Sequence, residues 1–401
     1  MDNTRWRSRR LDRLGSAIFA EVAAWKAEAR REGKDVIALD IGSPDQPPSL
    51  QARETLAAAA LRPDAYRYPG TEGTIRFRET VARWFGRRFG VAPDPAEEVL
   101  SLMGTQDGLA HLAMSIADPG DAALLPDPGY PVYQAGLAVA DVEAIPLPLS
   151  EDNGYLPDFD AVPEAVWDRV KFLILNYPSN PLSAVADLAF FERAVDTARR
   201  RNVLLVHDNA YSEMAYDGFR PPSVLEVPGA FEVAVEFHSL SKSFHLAGGR
   251  LGFAVGNREA LSSLRALKNN IDFGVFLAVQ EAGIAALEMD MAGHESVSLL
   301  YEKRRDVFVA GLRNAGWNVP SPKATMFLWA PVPAGWSSRQ FSREMLAQAG
   351  VASIPGNAFG VRGEGYVRLA LVETESRLTE AAERIGTFLR SAEPKQGETM
   401  V

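Results

Sequence analysis

Between residues 99 and 255 the chain alternates short apolar runs with helix-patterned stretches, and nothing else in it constrains the fold so strongly. Val99 to Met103, Ala122 to Leu125, Val170 to Leu175, Val203 to Val206, Val233 to Phe237 and Leu251 to Val255 read as strands. Leu109, Leu112 and Ala113 mark one intervening helix, and Leu188 to Arg200 another. Apolar strands separated by helices pack as a mostly parallel sheet with both faces covered, an α/β architecture. Such sheets bind ligands outside the carboxyl ends of their strands. Three polar features fall at those ends: the turn Gly104-Thr105-Gln106, Asp208, and the segment Ser239 to Lys242.

After about residue 256 the pattern changes to long helical stretches through Leu264, Leu267 and Leu299 to Leu312. Short strands follow at Met326 to Ala330 and Tyr366 to Leu371, then a last helix near Leu378 to Leu389. These features predict a smaller α+β domain over 286–401, completed by residues 1–48, beside a large domain over 49–285. A cleft between the two is where a small substrate is expected.

Composition narrows the function. The net charge of −10 gives no basic face for nucleic acid. The absence of cysteine excludes disulfides, thiolate metal sites and a cysteine nucleophile, and it fits a reducing cytoplasm. The five histidines are scattered without metal-ligand spacing, so no metal site is expected. No apolar run is long enough for a membrane span. The start, with five arginines in thirteen residues, reads as a solvated arm rather than a targeting segment. No GxGxxG after a strand, GxxxxGK[ST] or GxSxG is present, which leaves dinucleotide, P-loop and serine-hydrolase readings without support.

The run Ser239-Leu240-Ser241-Lys242-Ser243 carries chemistry, with Arg250 eight residues beyond the lysine. A lysine among small hydroxyls can be an exposed loop residue. It is also how one enzyme group holds pyridoxal 5′-phosphate, the amine joining the cofactor aldehyde as a Schiff base while serine and arginine neutralise the phosphate. Asp208 can keep the pyridine nitrogen protonated, and Tyr211 and Asn180 can both hydrogen-bond the ring 3-hydroxyl. Asn180 directly follows one strand and lies 28 residues before Asp208, which follows another, so a shared site is expected.

With DPGYPVY (127–133), NYPSNP (176–181), VHDNAYSEMAYDG (206–218), EFHSLSK (236–242) and GRLGFAVGN (249–257), the chain resembles the fold-type I, class I/II aminotransferases. It is especially similar to their LL-diaminopimelate aminotransferase group, over about residues 12 to 390. The resemblance implies a role for each matching residue. Gly104, Thr105 and Gln106 match the turn whose amides meet the cofactor phosphate at a helix N-terminus. Ser239 and Arg250 match its other ligands, and Tyr130 the aromatic residue stacked on the pyridine ring. Tyr68 matches the tyrosine that reaches the phosphate of the neighbouring subunit, so a homodimer with shared active sites is implied. Arg368 matches the clamp for the substrate α-carboxylate, and Gly42 the loop lying over it. An arginine inside an apolar strand is costly without a partner, which supports that role independently.

Three departures fall around the expected pocket. Ser243-Phe244-His245-Leu246-Ala247-Gly248-Gly249 replaces the group's usual Thr-Tyr-Asn-Met-Thr-Gly-Trp, and Asn180-Pro181-Leu182-Ser183 replaces Asn-Pro-Thr-Gly. Ala17 stands where a substrate-binding tyrosine is usual. The expectation is therefore an aminotransferase acting on an amino acid and a keto acid, with a substrate other than standard diaminopimelate. The alternatives are a pyridoxal-phosphate enzyme for elimination, replacement or carbon–carbon bond formation, and a non-catalytic sensor on the same fold. His245 reads as a packed histidine or as an acid–base group three residues from Lys242. His207 and His238, which end strands, read as structural.

Overall fold

Strands that are apolar on both sides need helices on both faces, and the central sheet meets that requirement. The structure, a computed structural model, describes residues 6–14, 17–289 and 291–391, excepting the side chains of 17 and 291–296. The sheet contains β2 (Val99–Leu102), β3 (Ala122–Asp127), β4 (Glu143–Pro148), β5 (Val170–Asn176), β6 (Leu204–Asp208), β7 (Ala234–Ser239) and β8 (Gly252–Gly256). Their spatial order is β2-β8-β7-β6-β5-β3-β4. All neighbours are parallel except β8, which runs antiparallel to both β7 and β2. Alternate residues of one strand enter opposite cores. Leu173 and Leu175 pack with Phe190, Phe191 and Phe253, while Phe172 and Ile174 pack with Leu109, Leu112 and Phe237.

This topology explains where polar residues gather. β2, β3, β5, β6 and β7 all finish at one edge of the sheet, and β8 starts there, directly after Arg250. Register sets Asn176 opposite Asp208, and Asp208 opposite Phe237. Beneath that edge lies a buried hub. Glu236 accepts from His207 Nδ1 at 2.8 Å, from His238 Nε2, from Ser223 Oγ at 2.8 Å and from the Val224 amide at 2.8 Å. Burial opposes ionisation of Glu236, but the charge of His238 and the hydrogen bonds from both histidines outweigh it and hold the carboxyl below its usual range. The two histidines are thus committed to packing and hydrogen bonding within the sheet.

A smaller sheet, ordered β11-β12-β9, is formed by β9 (Phe327–Pro331), β11 (Ile354–Pro355) and β12 (Tyr366–Ala370). β1 (Ile37–Ala38) pairs in parallel with β10 (Val351–Ala352), so an N-terminal segment joins the C-terminal third of the chain. Ile37 and Leu39 share one apolar cluster with Phe308, Phe341 and Ile385. No helix of the described residues is long and apolar enough to cross a membrane.

Several elements were not expected from the sequence, the helices Leu50–Ala60, Ile75–Phe89 and Ser338–Ala349 among them. β4 was not expected, because its Pro146 and Pro148 remove ladder donors; it is an edge strand paired only with β3, where such losses are tolerated. The helix Pro131–Ala140 also escaped the sequence pattern, being rich in small apolar residues with weak periodicity.

Candidate active site

A cavity of about 280 Å³ opens at the carboxyl edge of the large sheet, against the smaller one. Gly42, Thr105, Gln106, Tyr130, Asn180, Asp208, Tyr211, Ser239, Lys242, Arg250 and Arg368 line it, so the structure brings together most of the residues singled out from sequence.

Lys242 lies in the four-residue helix Leu240–Ser243, which starts from Ser239, whose Oγ accepts from the Ser241 amide at 3.1 Å. The Lys242 ammonium donates to the Gly42 carbonyl oxygen. Burial, reinforced by the positive charges of Arg368 and Arg250, lowers the Lys242 pKa to about 8. The free amine, which is the nucleophile, is therefore accessible near neutral pH. Labelling the apoprotein with an amine-directed acylating reagent across pH, followed by peptide mass spectrometry, should give Lys242 a midpoint near 8. Below it, the reactive fraction falls about tenfold per pH unit. Arg368→Gln removes a repelling charge and should move the midpoint upward.

Gly104 caps the helix Thr105–Ile116 with φ of 82°, a conformation natural to glycine. A Cβ there would lie 2.5 Å from Arg250 Nη2, so the guanidinium would have to shift to admit one. The helix N-terminus and the guanidinium make one electropositive cradle suited to a phosphate. Gly42 is equally constrained, since a Cβ would overlap the Phe327 ring.

Asp208 is buried at the end of β6. Burial pushes its pKa up, and the hydrogen bond from Tyr133 Oη to Oδ2, 2.8 Å long, opposes that shift. Asn176 Nδ2 holds the Asp208 backbone carbonyl at 2.8 Å, while Asn176 Oδ1 accepts from the Asn180 amide at 2.7 Å.

Arg368 is 5% exposed. It donates to Asn180 Oδ1 at 2.7 Å and to the Asp40 carbonyl at 2.8 Å, and its Cζ lies 4.2 Å and 4.7 Å from the Phe327 and Phe359 ring centroids. Its Nε is buried without a hydrogen-bond partner. Among the described residues no carboxylate forms an ion pair with it, Asp40 being paired with Lys26. Burial lowers the Arg368 pKa to about 10, so the guanidinium stays charged at neutral pH. A buried cation without an anion is an anion site.

Not every expectation converges here. Tyr68 is 85% exposed, with its ring tilted against Phe273 at 5.2 Å between centroids, outside the cavity of its own chain. Ala17 begins the helix Ala17–Arg31, but its side chain lies outside the described residues. Ala247 lines the cavity, whereas Gly249 does not. His245 faces a different cavity, with its ring edge-on to Tyr301 at 5.9 Å, which favours the packed reading over the acid–base one.

The sequence reading passed over Phe19, Asp40, Tyr133, Asn176 and Phe327, all of which line the cavity. Tyr133 carried a signal, lying three residues after Tyr130 at a helix start, so that the two rings meet at 5.7 Å. Phe327 carried none. It reaches Arg368 because β9 and β12 pair with Trp329 opposite Arg368, which makes Phe327 a diagonal neighbour.

Comparison with known proteins agrees with this geometry. The family model described as aminotransferase class I and II matches residues 34–385. The chain is 46% identical, over 96% of its length and 99% of the relative's, to an LL-diaminopimelate aminotransferase of Moorella thermoacetica. A second protein of that name, from Syntrophobacter fumaroxidans, is 45% identical over 94% of this chain and 98% of its own. Among solved structures, substrate-bound BacF of Bacillus subtilis superposes with a TM-score of 0.92 at 36% identity, covering 95% of this chain and 97% of that one. A probable N-succinyldiaminopimelate aminotransferase of Thermus thermophilus gives 0.89 at 41% identity, covering 92% of this chain and 100% of that one.

Proposed function

This chain belongs to the class I and II aminotransferase family, and we propose that its cavity holds pyridoxal 5′-phosphate on Lys242 and moves an amino group from an amino acid to a keto acid. One observation carries the reading. An amine with a pKa near 8, a buried carboxylate and a buried guanidinium without a counter-ion face one cavity.

When bound, the cofactor supplies an aldehyde for the amine and a ring that withdraws electrons from the substrate Cα. The residues fit it. The Thr105 and Gln106 amides, Ser239 and Arg250 would hold the phosphate in the cradle that Gly104 keeps open. Tyr130 would cover the ring face. Asp208 would hold a proton on the ring nitrogen, and Tyr211 with the Asn180 amide nitrogen would hydrogen-bond the 3-hydroxyl. Asn180 spends Oδ1 on Arg368, which leaves that nitrogen as the donor. Arg368 would bind the substrate α-carboxylate beneath the Gly42 loop, and Lys242, once released, would carry the proton from Cα. Borohydride reduction of the holoenzyme, followed by peptide mapping, should place the cofactor on Lys242; its recovery on another lysine would refute the assignment.

The relatives' names point toward diaminopimelate, whereas the departures at Ala17, Leu182-Ser183 and Ser243 to Gly249 support a different amino acid. A donor panel that includes LL-diaminopimelate decides between them. If that compound has the highest kcat/KM of the panel, the substrate part of this proposal fails.

The proposal includes a homodimer. Leu61, Tyr66, Tyr68, Ile271 and Phe273 are all more than half exposed, and Tyr68 and Phe273 form one aromatic patch that a second copy would cover. If Tyr68 serves the partner's phosphate site, Lys242→Ala and Tyr68→Phe chains mixed as heterodimers should contain one intact site. Activity above that of either parent is expected. No gain, with heterodimers shown to have formed, would contradict shared sites. The division into 49–285 and a unit from 1–48 and 286–401 also belongs to this proposal, supported by the cluster that joins Ile37 and Leu39 to Phe341 and Ile385.

A further inference from the structure

Resting on the reading in which Asp208 meets the ring nitrogen, we propose that Tyr133 is a positioning residue, whose hydroxyl fixes the Asp208 carboxylate and keeps it ionised for that contact. Tyr133 stands on the helix Pro131–Ala140, is 2% exposed, and donates to Asp208 Oδ2 at 2.8 Å. Among the described residues Tyr133 is the one side chain that hydrogen-bonds this carboxylate, and His207 and His238 act on it only through charge. His207 commits Nδ1 to Glu236 and Nε2 to the Tyr177 carbonyl, and His238 directs Nε2 at Glu236. Asn176 holds the Asp208 backbone, not its side chain. Among the described residues, Oδ1 accepts only the Ala210 amide, at 3.2 Å.

The physical need is specific. A buried carboxylate has lost its hydration and tends toward its neutral form, which cannot hold a proton on a ring nitrogen. A short bond from a neutral donor stabilises the anion without neutralising it. The same bond fixes the carboxylate's rotation, so Oδ1 keeps a lone pair open for a ring N–H. Tyr133 thus acts on the cofactor through Asp208 and not by contact with substrate.

The test uses holoenzyme carrying cofactor labelled with ¹⁵N in the ring, for wild type, Tyr133→Phe, Asp208→Asn and the double variant. Phenylalanine keeps the packing against Tyr130 and removes only the hydroxyl. In Tyr133→Phe the ¹⁵N resonance should move from the wild-type position toward that of Asp208→Asn. Cofactor affinity of the apoprotein should fall about tenfold, as for loss of a hydrogen bond to a charged group. In the Asp208→Asn background, the tyrosine change should alter affinity by less than about twofold, because the bond's acceptor charge is already gone. An unmoved resonance in Tyr133→Phe, or an undiminished affinity loss in the Asp208→Asn background, would overturn the proposal. A wild-type protein that carries no cofactor on Lys242 would overturn the functional reading, and the proposal with it. The two failures are therefore distinguishable.

Discussion

Lys242→Ala is expected to abolish turnover, by about 10⁴-fold or more, while the chain still folds and still takes up cofactor without a covalent bond. The large effect follows from two roles in one side chain. In the proposed function the amine would anchor the cofactor and, once freed, would be the base that carries the proton from Cα. The lysine helix is otherwise held by contacts the variant keeps, namely Leu240 in the core and the Ser239 cap on the Ser241 amide. Only the bond to the Gly42 carbonyl is lost. Absorbance of the purified variant should lack the visible band of the covalently bound cofactor, and borohydride should fix no label. Turnover within tenfold of wild type would remove Lys242 from the mechanism.

The next largest effect is expected at Arg368. Truncation to alanine should lower kcat/KM for every amino acid donor by about 10²–10³-fold, corresponding to roughly 3–4 kcal/mol for breaking a buried charged pair. Arg368→Lys should not rescue it. Lysine keeps the charge but not the planar fork, and it cannot contact Asn180 Oδ1, the Asp40 carbonyl and a carboxylate in one plane. The lysine variant should still lose about 2–3 kcal/mol, most of it in KM. Steady-state kinetics with a donor series measures this directly. An unchanged KM in Arg368→Ala would refute the clamp.

How far these roles were legible in the chain depended on the kind of information each requires. The strands from Val99 to Val255 announce themselves as apolar runs, and the polar residues at their ends are local to those runs, so Asp208, Ser239 and Lys242 could be placed before any coordinates. β4 was hidden because two prolines argue against a strand unless its edge position is known. Asp40 and Phe327 were hidden for another reason. Their position in the cavity depends on how separate sheets and helices meet, and no periodicity encodes that. Tyr68 shows a third limit. Its exposed ring looks like an ordinary surface aromatic, and only the proposed second subunit would give it work to do. Arg368 was the favourable case, since a charged side chain within an apolar strand requires a counter-charge, and the protein itself provides none among the described residues.

Amino-group transfer at this cavity is tested most directly by a single-turnover experiment. The holoenzyme is incubated with each candidate amino acid in the absence of any keto acid, and the cofactor and the products are quantified. Transfer predicts that the best donor converts the cofactor to its amine form in a stoichiometric burst, with one keto acid released per site and no further reaction until an acceptor is added. Multiple turnovers without an acceptor, with the cofactor left in its aldehyde form, would contradict the account and assign the chain to elimination, replacement or bond-forming chemistry on the same fold.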